Sequence, residues 1–234
     1  MTGERVAGRA HLPAGPPPGA APGDAVAGAA DAVSRLLDAV VPAPGRGAAD
    51  LAATPARVAE AWLEDLVDGY RVDPAEVLAD AMPSRGRDLV AVTGIDFHSM
   101  CPHHLLPSRG VAHVAYVPGG RVVGFGQLAR LVDCFAHRLV LEEDLARQIA
   151  EALVGQLGAR GAACVLDAEQ TCLTIRGERR RDARAHAQCF LGVLASDARL
   201  QARFLALAGR AAPGRRARAS GRARVRGGGA RGGR

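Results

Sequence analysis

The chain has 234 residues, is 3% aromatic and 23% charged, and carries a net charge of +6. That length suits one domain with tails, and no apolar run approaches the ~18 residues of a membrane span, so a membrane protein is not expected. The charge is unevenly placed: residues 210–234 hold nine arginines and no acid, so residues 1–209 carry −3, the +6 less those nine.

All 30 basic residues are arginine, a bias that goes with the abundant Ala and Gly and is given no functional weight. Five cysteines, an odd number at irregular spacing, do not read as a disulfide framework. The opening MTGERVAGRAHLPAGPPPG lacks the apolar stretch of a secretory signal, so a cytoplasmic location is expected.

In chain order, residues 1–24 are rich in Pro, Gly and Ala without periodicity and are expected to be disordered. DAVAGAADAVSRLLDAVV, 24–41, has apolar residues at helical spacing, and PAPGRG follows as a loop. TPARVAEAWLEDLVDGY places Thr54 as an N-cap and Pro55 at the first helical position, with Val58, Ala61, Trp62 and Leu66 on one face. From residue 88 the chain turns β-rich, with PGG at 118–120 expected as a hairpin turn.

LARLVDCFAHRLVLEEDLARQIAEALVGQLG predicts one or two helices, AACVLDAEQTCLTIRG a strand pair, and AHAQCFLGVLA a last strand. SDARLQARFLALA predicts a closing helix capped by Ser196, and the Arg/Gly-rich end is low-complexity. The chain therefore divides into an extension (1–24), a helical segment (25–87), a mixed α+β catalytic domain (88–209) and an Arg/Gly tail (210–234).

CPHHLLPSRG, 101–110, sets a thiol and two imidazoles within four positions behind a predicted strand. Three explanations stand: a metal site, a reactive cysteine, or accident. Cys101 and His104 have C-x-x-H spacing, which suits one zinc ion, and Cys172 in EQTCLTIRG is a candidate third donor. Taken alone the motif favours a buried-thiol reading. A redox pair lacks its second sulfur, because His104 stands where it would be. His98, His113 and His137 are isolated histidines for which a structural role is expected.

The segments TPARVAEAW, CPHHLLPSRGVAHVAYVPGGRVVGFGQLARLV, RLVLEEDLARQIAEAL and DAEQTCLTIRG, in that order, resemble the GTP cyclohydrolase I family from about Gly28 to Leu207. The resemblance implies an α+β tunnelling fold preceded by helices, a homodecamer with sites at subunit interfaces, and zinc held by Cys101, His104 and Cys172. It also implies proton transfer at His103, guanine binding by Glu143, and triphosphate binding by Arg57, Arg130 and Arg176. The implied substrate is GTP or a related purine nucleotide, and the implied products are 7,8-dihydroneopterin triphosphate and formate.

The chain departs from the family pattern at four places and in the segment GERRRDARAHAQCF after Arg176, which lacks the expected Ser/Thr-rich run. Pro102 stands for Glu, Gly126-Gln127 for Ser-Lys, Glu142 for Gln, and Gln170 for a histidine. Gln127 falls at a substrate-binding position and Gln170 at a catalytic one, where an amide orients groups but moves no proton. His186 is a further candidate proton carrier. Two alternatives follow: an enzyme that stops at the ring-opened formamidopyrimidine or takes a modified purine nucleotide, and a non-catalytic nucleotide- or RNA-binding protein. The tail has no stacking aromatics, so nucleic acid is not the expected partner.

Overall fold

The computed structural model describes residues 22–42, 51–177 and 179–211. Helix α1 spans Pro22–Val40 and α2 spans Thr54–Ala61. The stretch expected as one amphipathic helix loosens after Ala61 into a π-helical turn, Trp62–Leu66, and a 3₁₀ turn, Asp68–Arg71. Thr54 is the first helical residue rather than the cap, which is Ala53. A short helix α3, Pro74–Val77, was not foreseen; Asp73 caps it by accepting from the Ala75 N–H at 2.8 Å.

The centre is a four-stranded antiparallel sheet in the order β2-β3-β5-β6: Val90–Met100, Pro107–Val117, Gly161–Gln170 and Ala185–Gly192. β2 and β3 run in register from Val90 opposite Tyr116 to Met100 opposite Pro107, with a bulge between Val92 and Ile95. Gly94 takes a positive φ of 77° there, and its N–H donates to His113 Nδ1 at 3.2 Å. His113 therefore has the structural role expected of it, and burial pushes its pKa below the usual imidazole range.

The central strands are covered on both faces, so they read as continuous apolar runs. Alternate residues of β3, Ala112, Val114 and Tyr116, enter the main core with helices α4 (Phe125–Ala136) and α5 (Glu142–Gly155). The intervening Ala115 and Val117 pack with Leu194 of α7 (Val193–Ser196) and Phe204 of α8 (Ala198–Ala211). Leu128, Leu131, Leu145, Ile149 and Leu153 are fully buried, each contributing about 1.5–3 kcal/mol of transfer free energy. Helices lying against an antiparallel sheet make this an α+β fold.

Several local expectations are corrected. PGG 118–120 does not join paired strands: it leads from β3 into β4, Arg121–Val122, which pairs with β1, Met82–Pro83. The true hairpin connection is the CPHHLL segment, 101–106, between β2 and β3. The predicted strand pair at 162–177 is one strand, β5, followed by a helical turn, α6 (Thr171–Thr174). The closing helix is capped by Asp197, which accepts from the N–H groups of Arg199 and Leu200, and not by Ser196.

The expected disordered start, the Gly/Pro loop and the Arg/Gly tail lie outside the described residues, apart from 22–24, where α1 begins, Pro42, and the end of α8. No helix among the described residues is long and apolar enough to cross a membrane.

The β3–β5 pairing sets the position of the functional loops and depends on Gly110, opposite Ala168. A Cβ there would press on the Asp167 carbonyl oxygen and come within 2.7 Å of Ala168 Cα, both of them unyielding backbone. Gly110→Ala is expected to cost roughly 1–3 kcal/mol in chemical denaturation.

Candidate metal centre and its surroundings

The hairpin loop after β2 is closed by its own backbone. Cys101 N–H donates to the Leu106 carbonyl and Leu105 N–H to the Cys101 carbonyl, each at 2.9 Å, while Leu105 takes φ of 53°. This tight turn faces Cys101 toward His104: their sulfur and Nδ1 lie 3.8 Å apart. α6 begins where β5 ends, and its first turn carries Cys172 to the same point. The donor atoms of Cys101, His104 and Cys172 all lie within 4.8 Å of one another.

The donor set fits zinc. A tetrahedral ion with bonds of about 2.0–2.3 Å separates its ligand atoms by roughly 3.5–3.8 Å, which matches the sulfur–nitrogen distance. Burial pushes the Cys172 thiol above its ordinary range, and the neighbouring Cys101 sulfur pushes it further, because two thiolates side by side repel. A divalent cation removes that penalty, since it holds thiolates rather than thiols. Three protein donors leave one tetrahedral corner open, as in a catalytic rather than a structural site.

Around the cage the structure gathers several of the expected residues. His103 is exposed, its ring edge-on to that of His104 with centroids 6.3 Å apart. Gln170 accepts from the Ser108 hydroxyl at 2.7 Å, and the same oxygen lies 3.7 Å from Cys172 Sγ. The pairing of Ser108 with Gln170 across β3 and β5 makes that bond possible. Arg176 is exposed just beyond α6 and close enough to Cys172 to favour its thiolate. Glu143 is exposed in the first turn of α5.

The other expected residues are placed differently. Arg57 on α2 and Arg130 on α4 are exposed, and among the described residues neither side chain makes a hydrogen bond or ion pair. Gln127 uses its amide locally: its oxygen accepts from the Gly124 N–H at 2.8 Å and its nitrogen donates to the Val77 carbonyl at 3.2 Å. That ties the start of α4 to α3. His98 and His137 stack at 4.1 Å; Asp68 lies 2.8 Å from His137, and the Asp65 carbonyl 3.0 Å from His98. An open cleft of about 1100 Å³ runs past Pro102, His103, Leu141, Arg138 and Arg147, so it meets the hairpin loop of the metal centre but is lined by none of the three donors.

The profile described as GTP cyclohydrolase I matches residues 29–209, which include all three donors and every element from α2 to α7. The chain belongs to the GTP cyclohydrolase I family. GTP cyclohydrolase 1 of Chromobacterium violaceum is 48% identical over 152 residues, 65% of this chain and 74% of that protein. That of Ralstonia nicotianae is 46% identical over 152 residues, 65% of this chain and 73% of its own length. That of Campylobacter lari is 38% identical over 176 residues, 75% of this chain and 91% of that protein. The four-stranded antiparallel sheet with its helices is thus the tunnelling fold of the family, with α1 and α2 as the N-terminal helical segment.

Two residues near the centre of this family member were not singled out as functional from sequence. Ser108 is buried and holds Gln170. Glu142, the first residue of α5, is 5% exposed, and neither carboxylate oxygen has a hydrogen-bond partner among the described residues. Burial pushes its pKa up to about 7, helped by Glu143 and Asp167 and opposed by Gln170 and Arg184. Gln170 thus acts on the carboxyl without closing a hydrogen bond of normal geometry.

The raised value has a sign. Between the ordinary carboxyl pKa of 4.5 and about 7, folded Glu142 keeps a proton that the unfolded chain has released. Stability therefore falls as pH rises through that window, and the loss is complete above it. Glu142→Gln is expected to gain roughly 2–3 kcal/mol over the wild type above the window and nothing below it, read from thermal unfolding against pH.

Proposed function

We propose that the chain is a zinc-dependent GTP cyclohydrolase I that hydrolyses the guanine imidazole ring at C8, giving 7,8-dihydroneopterin triphosphate and formate. The observation that carries this reading is the convergence of Cys101 and His104 of the hairpin loop with Cys172 of α6 in a member of that family. Zinc, when bound, supplies a Lewis acid that makes water a nucleophile near neutral pH.

The chain's own groups divide the remaining work. His103 stands beside the cage with its ring exposed, and an imidazole takes and returns protons near neutral pH. Glu143 offers an exposed carboxylate at a helix start, suited to the paired N–H donors of a guanine edge. Arg176 brings a guanidinium fork next to the metal centre for phosphate oxygens. Gln170 orients a neighbouring polar atom but carries no proton.

Arg57 and Arg130 project from other elements, so their part in holding the triphosphate fits a homodecamer whose sites are completed between subunits. A cytoplasmic location goes with this reading. A second reading is favoured by one observation: the amide at 170, where a proton carrier would complete the later steps. Such an enzyme would stop at the ring-opened formamidopyrimidine nucleotide.

The test is formate release from GTP by zinc-loaded protein, with and without a chelator. Chelator-sensitive formate supports the proposal. Consumption of GTP without formate supports the second reading, and no consumption at all rejects both.

A further inference from the structure

The carboxyl of Glu142 is closed off from solvent with neither oxygen paired among the described residues. A buried acid in that state costs several kcal/mol unless a neighbour serves it, so the groups around it are decisive. Glu143 on its own helix and Asp167 on β5 repel its charge. Arg184, ahead of β6, attracts it but is itself bound to Asp167, which His186 also approaches at 3.8 Å. Gln170 is the neutral neighbour, and on its other side lies Cys172 of the cage.

Gln170 has one oxygen and one NH₂ group to distribute. As the structure stands, the oxygen accepts from Ser108 and lies toward Cys172, which leaves the NH₂ group for Glu142. An ionised carboxylate only accepts, so it favours an amide turned this way round. A protonated carboxyl gains an O–H that must donate, and of the neighbours that act on it Gln170 is the one with a neutral acceptor oxygen. It then competes with Ser108, and the amide turns its NH₂ group toward the cage.

We propose that Glu142 is a positioning residue of this site: through Gln170 it sets which end of an amide faces the metal centre and the substrate held there. The proposal rests on the reading of the site as a GTP cyclohydrolase I centre. The change is a proton gained or lost at one oxygen and a rotation of one amide, with no other bond made or broken. It also gives Gln170 a function its chemistry allows, since an amide that cannot titrate still responds to a neighbour that does.

The experiment compares wild type, E142Q, Q170A and the double variant as zinc-loaded proteins. The dependence of kcat/KM for GTP on pH is measured from about pH 6 to 8. The wild type is expected to show a titration near neutrality that E142Q lacks. In E142Q itself, loss of the orienting carboxylate lowers kcat about two- to tenfold, the worth of one hydrogen bond, while KM and zinc content hold. With Gln170 replaced, changing Glu142 adds no further change in the profile. An unchanged profile in E142Q, or an equal effect of E142Q with and without Gln170, overturns the proposal.

Infrared difference spectra decide the point without turnover. The carbonyl band of a protonated carboxylic acid should fade between about pH 6 and 8 in the wild type, together with a shift of a side-chain amide band. Both changes should be missing in E142Q, and the amide shift in Q170A. A wild type that leaves GTP intact yet shows the paired infrared changes would reject the assigned activity and keep the Glu142–Gln170 coupling. Infrared spectra without the amide shift would reject the coupling whatever the activity.

Discussion

Cys172→Ala is expected to abolish zinc binding and lower GTP turnover about 10³-fold or more. The thiol is one of three donors whose atoms share one point, and two donors from a single short loop do not hold a tetrahedral ion firmly. A Lewis acid at the reacting centre contributes several kcal/mol of charge stabilisation, and each ~1.4 kcal/mol is a factor of ten in rate. The fold should persist, because α6 is a single four-residue turn and Cys172 is only half buried.

Metal content by atomic emission, circular dichroism and initial rates together check this. Cys189→Ala, on β6 and outside the donor group, serves as the control that keeps its zinc. Retention of stoichiometric zinc and activity in Cys172→Ala would remove that thiol from the cage.

His103→Gln is expected to keep zinc and stability but lose about 10²–10⁴ in kcat, the usual contribution of a general acid–base group. The side chain is exposed and meets the His104 ring edge-on, without a hydrogen bond or ion pair among the described residues, so its loss leaves the core intact. A glutamine occupies similar space and hydrogen-bonds, yet cannot carry a proton. Thermal unfolding and zinc content should therefore match the wild type while kcat falls. A parallel loss of zinc would show instead that His103 acts as a ligand or a support of the cage.

The parts of the molecule with strong periodicity were legible in the sequence. α5 follows its 3.6-residue pattern of Leu145, Ile149 and Leu153, and β3 follows its apolar run. α4 was legible too, with Leu128, Leu131, Val132 and Phe135 on its buried face. What misled was local chemistry under tertiary control. TCLTI is rich in Thr and apolar residues like a strand, but the chain there turns as α6, which brings Cys172 onto the hairpin loop. VPGGRV looks like a hairpin, yet Arg121–Val122 pairs with a distant two-residue strand.

The site was legible in the same uneven way. Cys101 and His104 announce themselves by spacing, whereas Cys172, far away in sequence, was only a candidate donor until the family resemblance implied it. Ser108 could not be found locally, because its part depends on the register that places it opposite Gln170. Glu142 was visible only as a departure from the family pattern. Its weight comes from being enclosed without a partner, which is a property of packing and not of sequence.

The product made from GTP is the most direct expression of the site's chemistry. Zinc-loaded protein incubated with GTP and followed by mass spectrometry is predicted to yield dihydroneopterin triphosphate and an equal amount of formate, with neither formed by Cys172→Ala. Unaltered GTP, or a ring-opened formamidopyrimidine nucleotide that accumulates without formate, would contradict it.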